Sequence, residues 1–309
     1  MRIALINSGL GLLAAAAELH RLRPDADLVL AMDPDGMPWG PRTPADIAGR
    51  SLAAARAAAA FRPDVLVFAC NTGTVHALGA LRAEFEPGLP VVGTVPAIKP
   101  AAAQGGSVAV WATAATTASA YQRQLIADFA GPAQVTAVAC PGLAEAIDSG
   151  DGAGTRTAVA RASGCTPASC GAVVLGCTEF ELAAGVIAAA LPGATLFGSA
   201  AAVAAQALRR AGARAGSGAD SPPGTLRRAG AEPNRVTPGS VAAITPAASS
   251  YSVQPSTTAP QPGGVRAPAC ATAAWVPGSS PESIASARPG QATAVTWAGP
   301  AKSAMSRRW

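Results

Sequence analysis

The sequence predicts an α/β fold over residues 1–212, a parallel sheet with helices on both faces, and a disordered segment over residues 213–309. Three observations carry this. Short Val/Ile/Leu runs alternate with Ala-rich stretches through the first two thirds of the chain, the pattern of buried parallel strands joined by helices. The 309 residues are 50% hydrophobic but only 13% charged, yet no run of about 18 apolar residues lacks a charge, Gly or Pro. Near Gly212 the composition changes abruptly.

Strands are expected at 2–6, 27–31, 64–68, 107–112, 134–138, 171–175 and 194–197. Helices are expected at about 10–22, 44–60, 74–84, 117–130, 152–162, 180–190 and 199–211. Helices so rich in Ala have high propensity and little side-chain volume, so their packing must come from close backbone approach. Met1 to Asn7 reaches polar and Gly residues too soon for the apolar region of a signal peptide and reads as a first strand, which points to a cytoplasmic protein.

Residues 213–309 hold 13 of the 27 Pro but only 9 Leu, Ile, Val or Phe, too few to offset ordering entropy. The same segment carries 9 Lys/Arg against 3 Asp/Glu, whereas residues 1–212 carry 14 against 15. The net charge of +5 therefore belongs to the tail, and gives no reason to expect nucleic acid on the folded part. An inert low-complexity segment, a basic interaction tail and an out-of-frame reading all fit that composition. With no apolar span, a membrane partner is not expected either. The 6 Cys show no CxxC pairing, and there are only 2 His, so neither zinc nor a disulfide framework is expected.

Two segments repeat one arrangement: Val65-Leu66-Val67-Phe68-Ala69-Cys70-Asn71-Thr72 and Ala172-Val173-Val174-Leu175-Gly176-Cys177-Thr178. Each puts a Cys directly after a buried strand, at the entrance to a helix. Ligands of open α/β sheets bind beyond the carboxyl ends of the strands, so both thiols are expected to face a crevice. Helix N-termini favour the thiolate. Two thiols so placed suit a reaction symmetrical in space, in which one removes a proton from a carbon and the other returns one to the opposite face. Developing carbanion charge would need preorganised donors, for which Asn71, Thr72, Thr178, Ser8 and turn amides are suitable. Cys140, Cys165, Cys170 and Cys270 lack this context. His20 reads as a helix-surface residue and His76 as a packing or surface one. Gly9-Leu10-Gly11 completes neither a GxGxxG nor a P-loop pattern, so no nucleotide site is expected.

Over roughly residues 1–205 the chain resembles the aspartate/glutamate racemase superfamily, and within it the glutamate racemases. The matching pieces run in order through Asn7-Ser8-Gly9-Leu10-Gly11, Pro38-Trp39-Gly40, Ala69-Cys70-Asn71-Thr72, Val91-Val92-Gly93-Thr94-Val95-Pro96, Ala112-Thr113 with Thr116 and Ser119, Cys140-Pro141, and Leu175-Gly176-Cys177-Thr178. The resemblance implies two similar α/β lobes facing each other across an active site, with no pyridoxal phosphate, other cofactor or metal. It sets an N-terminal lobe at 1–95, a C-terminal lobe at 96–195, and a returning helix at 196–212.

Carried over by position, Cys70 and Cys177 are the implied acid/base pair. Asn7, Ser8, Trp39, Gly40, Asn71, Thr72, Thr113, Thr116, Thr178 and Glu179 are the implied substrate-binding set. Asp148 falls where the family has a Glu near the second thiol, as a supporting acid. The implied function is interconversion of L- and D-glutamate for peptidoglycan precursors, by an enzyme that takes a small amino acid and is a possible homodimer. Two departures stand out: Asn7 replaces a family Asp, and Glu179 replaces a His and is what aspartate racemases show. The first makes Asn7→Asp an expected gain of activity in a weakened enzyme. It also admits a non-catalytic relative that only binds; the second admits an aspartate or broad-specificity racemase.

Overall fold

In a computed structural model, residues 1–212, 224–229, 272–277 and 295–297 are described. The first lobe runs β1 (Arg2–Asn7), α1 (Leu12–Leu22), β2 (Asp27–Met32), α2 (Pro44–Ala59), β3 (Val65–Phe68), α3 (Asn71–Phe85) and β4 (Val91–Gly93). The second runs α4 (Ile98–Ala102), β5 (Ser107–Ala112), α5 (Ala114–Ala118), α6 (Ala120–Phe129), β6 (Gln134–Ala139), α7 (Leu143–Asp148), α8 (Gly152–Gly164), β7 (Cys170–Leu175), a 3₁₀ turn at Thr178–Ala183, α9 (Ala184–Ala190) and β8 (Thr195–Phe197). Helix α10 (Ala200–Arg210) then returns to α1.

Each lobe is a parallel sheet clothed on both faces. In the first, the order β4-β3-β1-β2 places β1 centrally, and successive β1 residues point to opposite cores. Ile3 and Leu5 pack with Leu12 and Leu19 of α1 and with Val203 and Leu208 of α10. Ala4 and Ile6 pack with Ile47 and Ala54 of α2 and with Leu81 of α3. The expected close approach is seen where Ala54, Ala55 and Ala58, all fully buried, lie in one core with Leu66 and Phe68. In the second sheet β5 lies between β6 and β7. Trp111 and Val173 face α7 and α8, while Val110 and Val174 face α4 and α6.

The seven expected strands are all present, but the short elements β4, α4 and α7 were not expected from sequence, being only three to six residues long and so too brief for a period to register. The single helix expected at 117–130 is two. Ser119 ends α5 and caps α6, its hydroxyl accepting from Gln122 N at 3.1 Å. The helix after Cys70 starts at Asn71 rather than 74 because Cys70 itself is the N-cap.

The disorder expected over 213–309 falls mostly outside the described residues, and is corrected where they resume. Leu226–Ala229 forms β9, parallel to the outer edge of β2, and Thr272–Pro277 forms β10, antiparallel to β6, with β11 (Val295–Trp297) beyond it. Apolar counting misses a strand such as β9 because a neighbour's edge supplies its backbone partners. Thr225 adds bonds from its amide (2.8 Å) and hydroxyl (2.7 Å) to Asp27 Oδ1, and Ala229 is buried in the first lobe's core. Cys165 is disulfide-bonded, contrary to expectation, whereas Cys70, Cys140, Cys170 and Cys177 are free thiols. Spacing alone tests only local pairings. Among the described residues no helix is long and apolar enough to cross a membrane.

Gly176 sets the last step into the second thiol loop. A Cβ there would lie 2.6 Å from the Trp111 carbonyl oxygen, a backbone atom that cannot swing aside. Gly176→Ala is expected to destabilise the protein by about 1–3 kcal/mol in a denaturant titration, the range of core overpacking.

Candidate active site

The carboxyl ends of β1, β3, β5 and β7 meet in a cleft of about 270 Å³ between the lobes. From the first lobe come Ser8, Trp39, Gly40, Cys70, Asn71 and Thr72; from the second, Thr113, Asp148, Cys177 and Glu179. Ten of the thirteen residues singled out from sequence therefore converge. Asn7, Thr116 and Thr178 do not line the cleft. Asn7 is fully buried behind it and Thr178 is buried beside Asn7, while Thr116 accepts the Thr113 hydroxyl at 3.0 Å in the cap of α5. His20 and His76 lie elsewhere, His76 exposed on α3.

Both thiols sit where strand gives way to helix. Cys70 Sγ accepts from the Gly73 amide at 3.4 Å in the first turn of α3. Burial pushes this thiol up to about 12, with the Glu179 charge adding to the rise, while the amides of Gly73, Ser8 and Thr72 pull it down. Cys177 donates to Glu179 Oε2 at 2.8 Å. Its thiol is raised well above its ordinary value by burial first, then by the Glu179 charge and hydrogen bond, then by Cys70. The two sulfurs thus oppose each other's ionisation, which favours one thiolate at a time.

Two carboxamides bridge the thiol loops. Asn71 Nδ2 donates to the carbonyl of Gly176, just before Cys177, at 2.8 Å, and Asn7 Nδ2 donates both to the carbonyl of Ala69, just before Cys70, at 2.8 Å and to Thr178 Oγ1, just after Cys177, at 3.2 Å. Asn71 Oδ1, buried in the cleft wall, has no partner among the described residues. An orphan acceptor there is suited to a ligand's N–H.

Several residues carry no site role in the sequence reading, although Cys140-Pro141 is among the pieces that resemble the family. Cys140, Pro141, Gly142 and Glu145 line the cleft from the β6 to α7 turn. Cys140 is raised to about 12 by burial. Asp33 and Arg50 stand behind the Pro38–Gly40 wall. Asp33, 4% exposed, accepts from Trp39 Nε1 at 2.9 Å, Gly36 N at 3.1 Å and Arg50 Nη1 at 3.1 Å, and its own amide donates to Ser8 O at 3.2 Å. The Trp39 ring meets Phe68 edge-on, with centroids 6.0 Å apart. The only sequence signal for this clamp is a charged residue directly after the apolar run of β2. Among the described residues no Lys, Arg or His lines the cleft, and no group of three or more His, Cys, Asp or Glu is placed to hold a metal ion.

Two doubly wound lobes, with Cys70 of one and Cys177 of the other at matching strand ends in a shared cleft, define a class of two-lobed α/β proteins with paired cysteines. Comparison with known proteins narrows it. The sequence profile described as Asp/Glu/Hydantoin racemase matches residues 6–207, and the chain belongs to that family. It is 38% identical to a glutamate racemase of Herpetosiphon aurantiacus over 213 residues, spanning 67% of this chain and 83% of the relative, and 35% identical to a glutamate racemase of Pseudomonas putida over 218 residues, spanning 69% and 82%. Among solved structures it superposes on Escherichia coli glutamate racemase in complex with L-glutamate and the activator UDP-MurNAc-Ala, with a TM-score of 0.65 and 30% identity, covering 77% of this chain and 90% of that one. Thermus thermophilus glutamate racemase in complex with β-chloro-D-alanine superposes with a TM-score of 0.56 and 26% identity, covering 74% and 86%.

Asp148 crosses the cleft, its Oδ1 accepting from Leu10 N of the first lobe at 2.8 Å. Burial raises its carboxyl to about 6 from an ordinary 3.8, the Leu10 amide opposing and the Glu179 and Glu145 charges adding to the rise. A carboxyl whose pKa is raised by folding holds more protons folded than unfolded, so its ionisation costs stability as pH rises between those values. Asp148→Asn is therefore expected to melt higher than the parent above about pH 6, an advantage that fades toward pH 4 in thermal scans.

Proposed function

We propose that this chain is a glutamate racemase, interconverting L- and D-glutamate by 1,1-proton transfer between Cys70 and Cys177 without a cofactor. The observation that carries the reading is the pair of free thiols at matching strand ends, Cys70 from one lobe and Cys177 from the other, in a single interlobe cleft that Cys140 also lines. The glutamate racemases among its relatives support the substrate.

In this reading the substrate Cα lies between the sulfurs. One, as thiolate, removes the α-proton; the other, as thiol, delivers its proton to the opposite face, and the stereocentre inverts. Glu179 Oε2 is the acceptor for the Cys177 proton when that side must be the base. Around Cys70, three amides stabilise the thiolate while the Glu179 charge opposes it. Asn71 Oδ1 receives the substrate ammonium, while the Ser8, Thr72 and Thr113 hydroxyls and the amides at the start of α5 hold its carboxylates. The reading extends to a cytoplasmic homodimer supplying D-glutamate for peptidoglycan.

Deuterium incorporation at Cα of L- and D-glutamate and of aspartate, followed by NMR in D₂O, tests this directly. Exchange and inversion of glutamate are expected, falling by about 10²–10⁴-fold in Cys70→Ser and in Cys177→Ser. Full activity in either variant would refute the two-thiol mechanism, faster exchange of aspartate would reassign the substrate, and a folded protein with no exchange would mark a relative that only binds. Because folding raises both thiols, kcat/KM is expected to climb as pH rises above neutrality.

A further inference from the structure

Asn7 lies at the end of β1, 0% exposed, and the sense of each of its hydrogen bonds is fixed by its neighbours. The Ala69 carbonyl can only accept, so Nδ2 faces it; the Ser8 amide can only donate, so Oδ1 faces it, at 2.6 Å. The second Nδ2 proton goes to Thr178 Oγ1. The Thr178 hydroxyl, accepting on that side, spends its single proton on Glu179 Oε2 at 3.3 Å, and the same Oε2 accepts from Cys177. A chain of donors thus runs in one direction from the first lobe to Glu179 Oε2, where it meets the hydrogen bond that Cys177 donates from the other side. The three side chains also converge on one point: a Cβ on Gly11 would collide with Thr178 Oγ1, Asn7 Nδ2 and Glu179 Oε1 together.

We propose that Asn7 is a positioning residue whose carboxamide, acting through the Thr178 hydroxyl, aims the Glu179 carboxylate at the Cys177 thiol, so that this chain requires an amide at position 7. A carboxylate there would set an oxygen against the Ala69 carbonyl, leave Thr178 without a donor, and add a second negative charge beside Glu179. The expectation that Asn7→Asp restores activity is reversed. Asn7 does not line the cleft, and its amide reaches Glu179 through the Thr178 hydroxyl. The effect on turnover rests on the two-thiol reading above; the effect on Cys177 does not.

The test is made on the full chain. The pH midpoint of Cys177 alkylation by iodoacetamide is read by peptide mass spectrometry, alongside kcat and KM for glutamate and the melting temperature. The charged and titratable groups facing the pair are Cys70, which acts on Cys177, and Asp148, which feels both Glu179 and Glu145. Removing the carboxylate in Glu179→Gln is expected to lower the Cys177 midpoint and to lower kcat by about tenfold or more, with KM changed less. Asn7→Ala is expected to lower the midpoint in the same way, and to add little in the Glu179→Gln background. Asn7→Asp is expected to reduce kcat.

Should Asn7→Ala fail to fold, Thr178→Val takes its place, and Thr178→Ser is expected to keep the parent midpoint. An unchanged Cys177 midpoint in a folded Asn7→Ala or Thr178→Val protein would overturn the proposal, as would an Asn7→Asp enzyme at least as fast as the parent. If the parent racemises nothing, the functional reading fails, and the thiol titration still decides this one.

Discussion

Everything in the cleft depends on how the two thiol loops are held in register across the lobe boundary. Neither loop has a partner strand at its tip, since each cysteine comes just after its sheet ends and just as a helix or turn begins. What fixes them relative to each other is a small set of buried hydrogen bonds from Asn7 and Asn71 to groups directly flanking the cysteines. Such bonds contribute only about 1 kcal/mol each to net stability, but a buried partner left unsatisfied costs more. Their effect is therefore geometric: the lobes have few alternative arrangements that keep these groups paired.

The two thiols look equivalent in sequence and are not equivalent in space. Cys177 faces a carboxylate, whereas Cys70 is surrounded by backbone amides at a helix start. One sulfur donates to a carboxylate and the other accepts from an amide. Since the two enantiomers of a free amino acid are equal in energy, that inequality cannot alter the equilibrium. It can divide the barriers differently between the two directions through kcat and KM.

Much of this was legible in the sequence, for identifiable reasons. Cys70 and Cys177 stood out because a buried strand, a cysteine and a helix entrance are local features that survive without tertiary information. Ser8, Asn71 and Thr72 follow from the same strand-end logic, Gly40 from the family resemblance, and all four line the cleft. Asn7 falls in the right neighbourhood but behind the cleft wall, because the direction of a side chain at a strand end decides between cleft and core. Asp33 and Arg50 escaped notice since their importance arises from Trp39, which only folding brings to them. β9 was missed for a similar reason: what orders it is the open edge of β2, nearly two hundred residues earlier in the chain.

The absence of a cationic side chain from the cleft lining has a further meaning. Acidic Glu145, Asp148 and Glu179 line it instead, so among the described residues the lining offers an anionic ligand no cationic partner. Recognition then falls to dipoles, whose strength depends on angle and vanishes within a few ångströms. A site of that kind discriminates by shape rather than by charge count, tolerates changes in ionic strength, and releases an anionic ligand without breaking an ion pair.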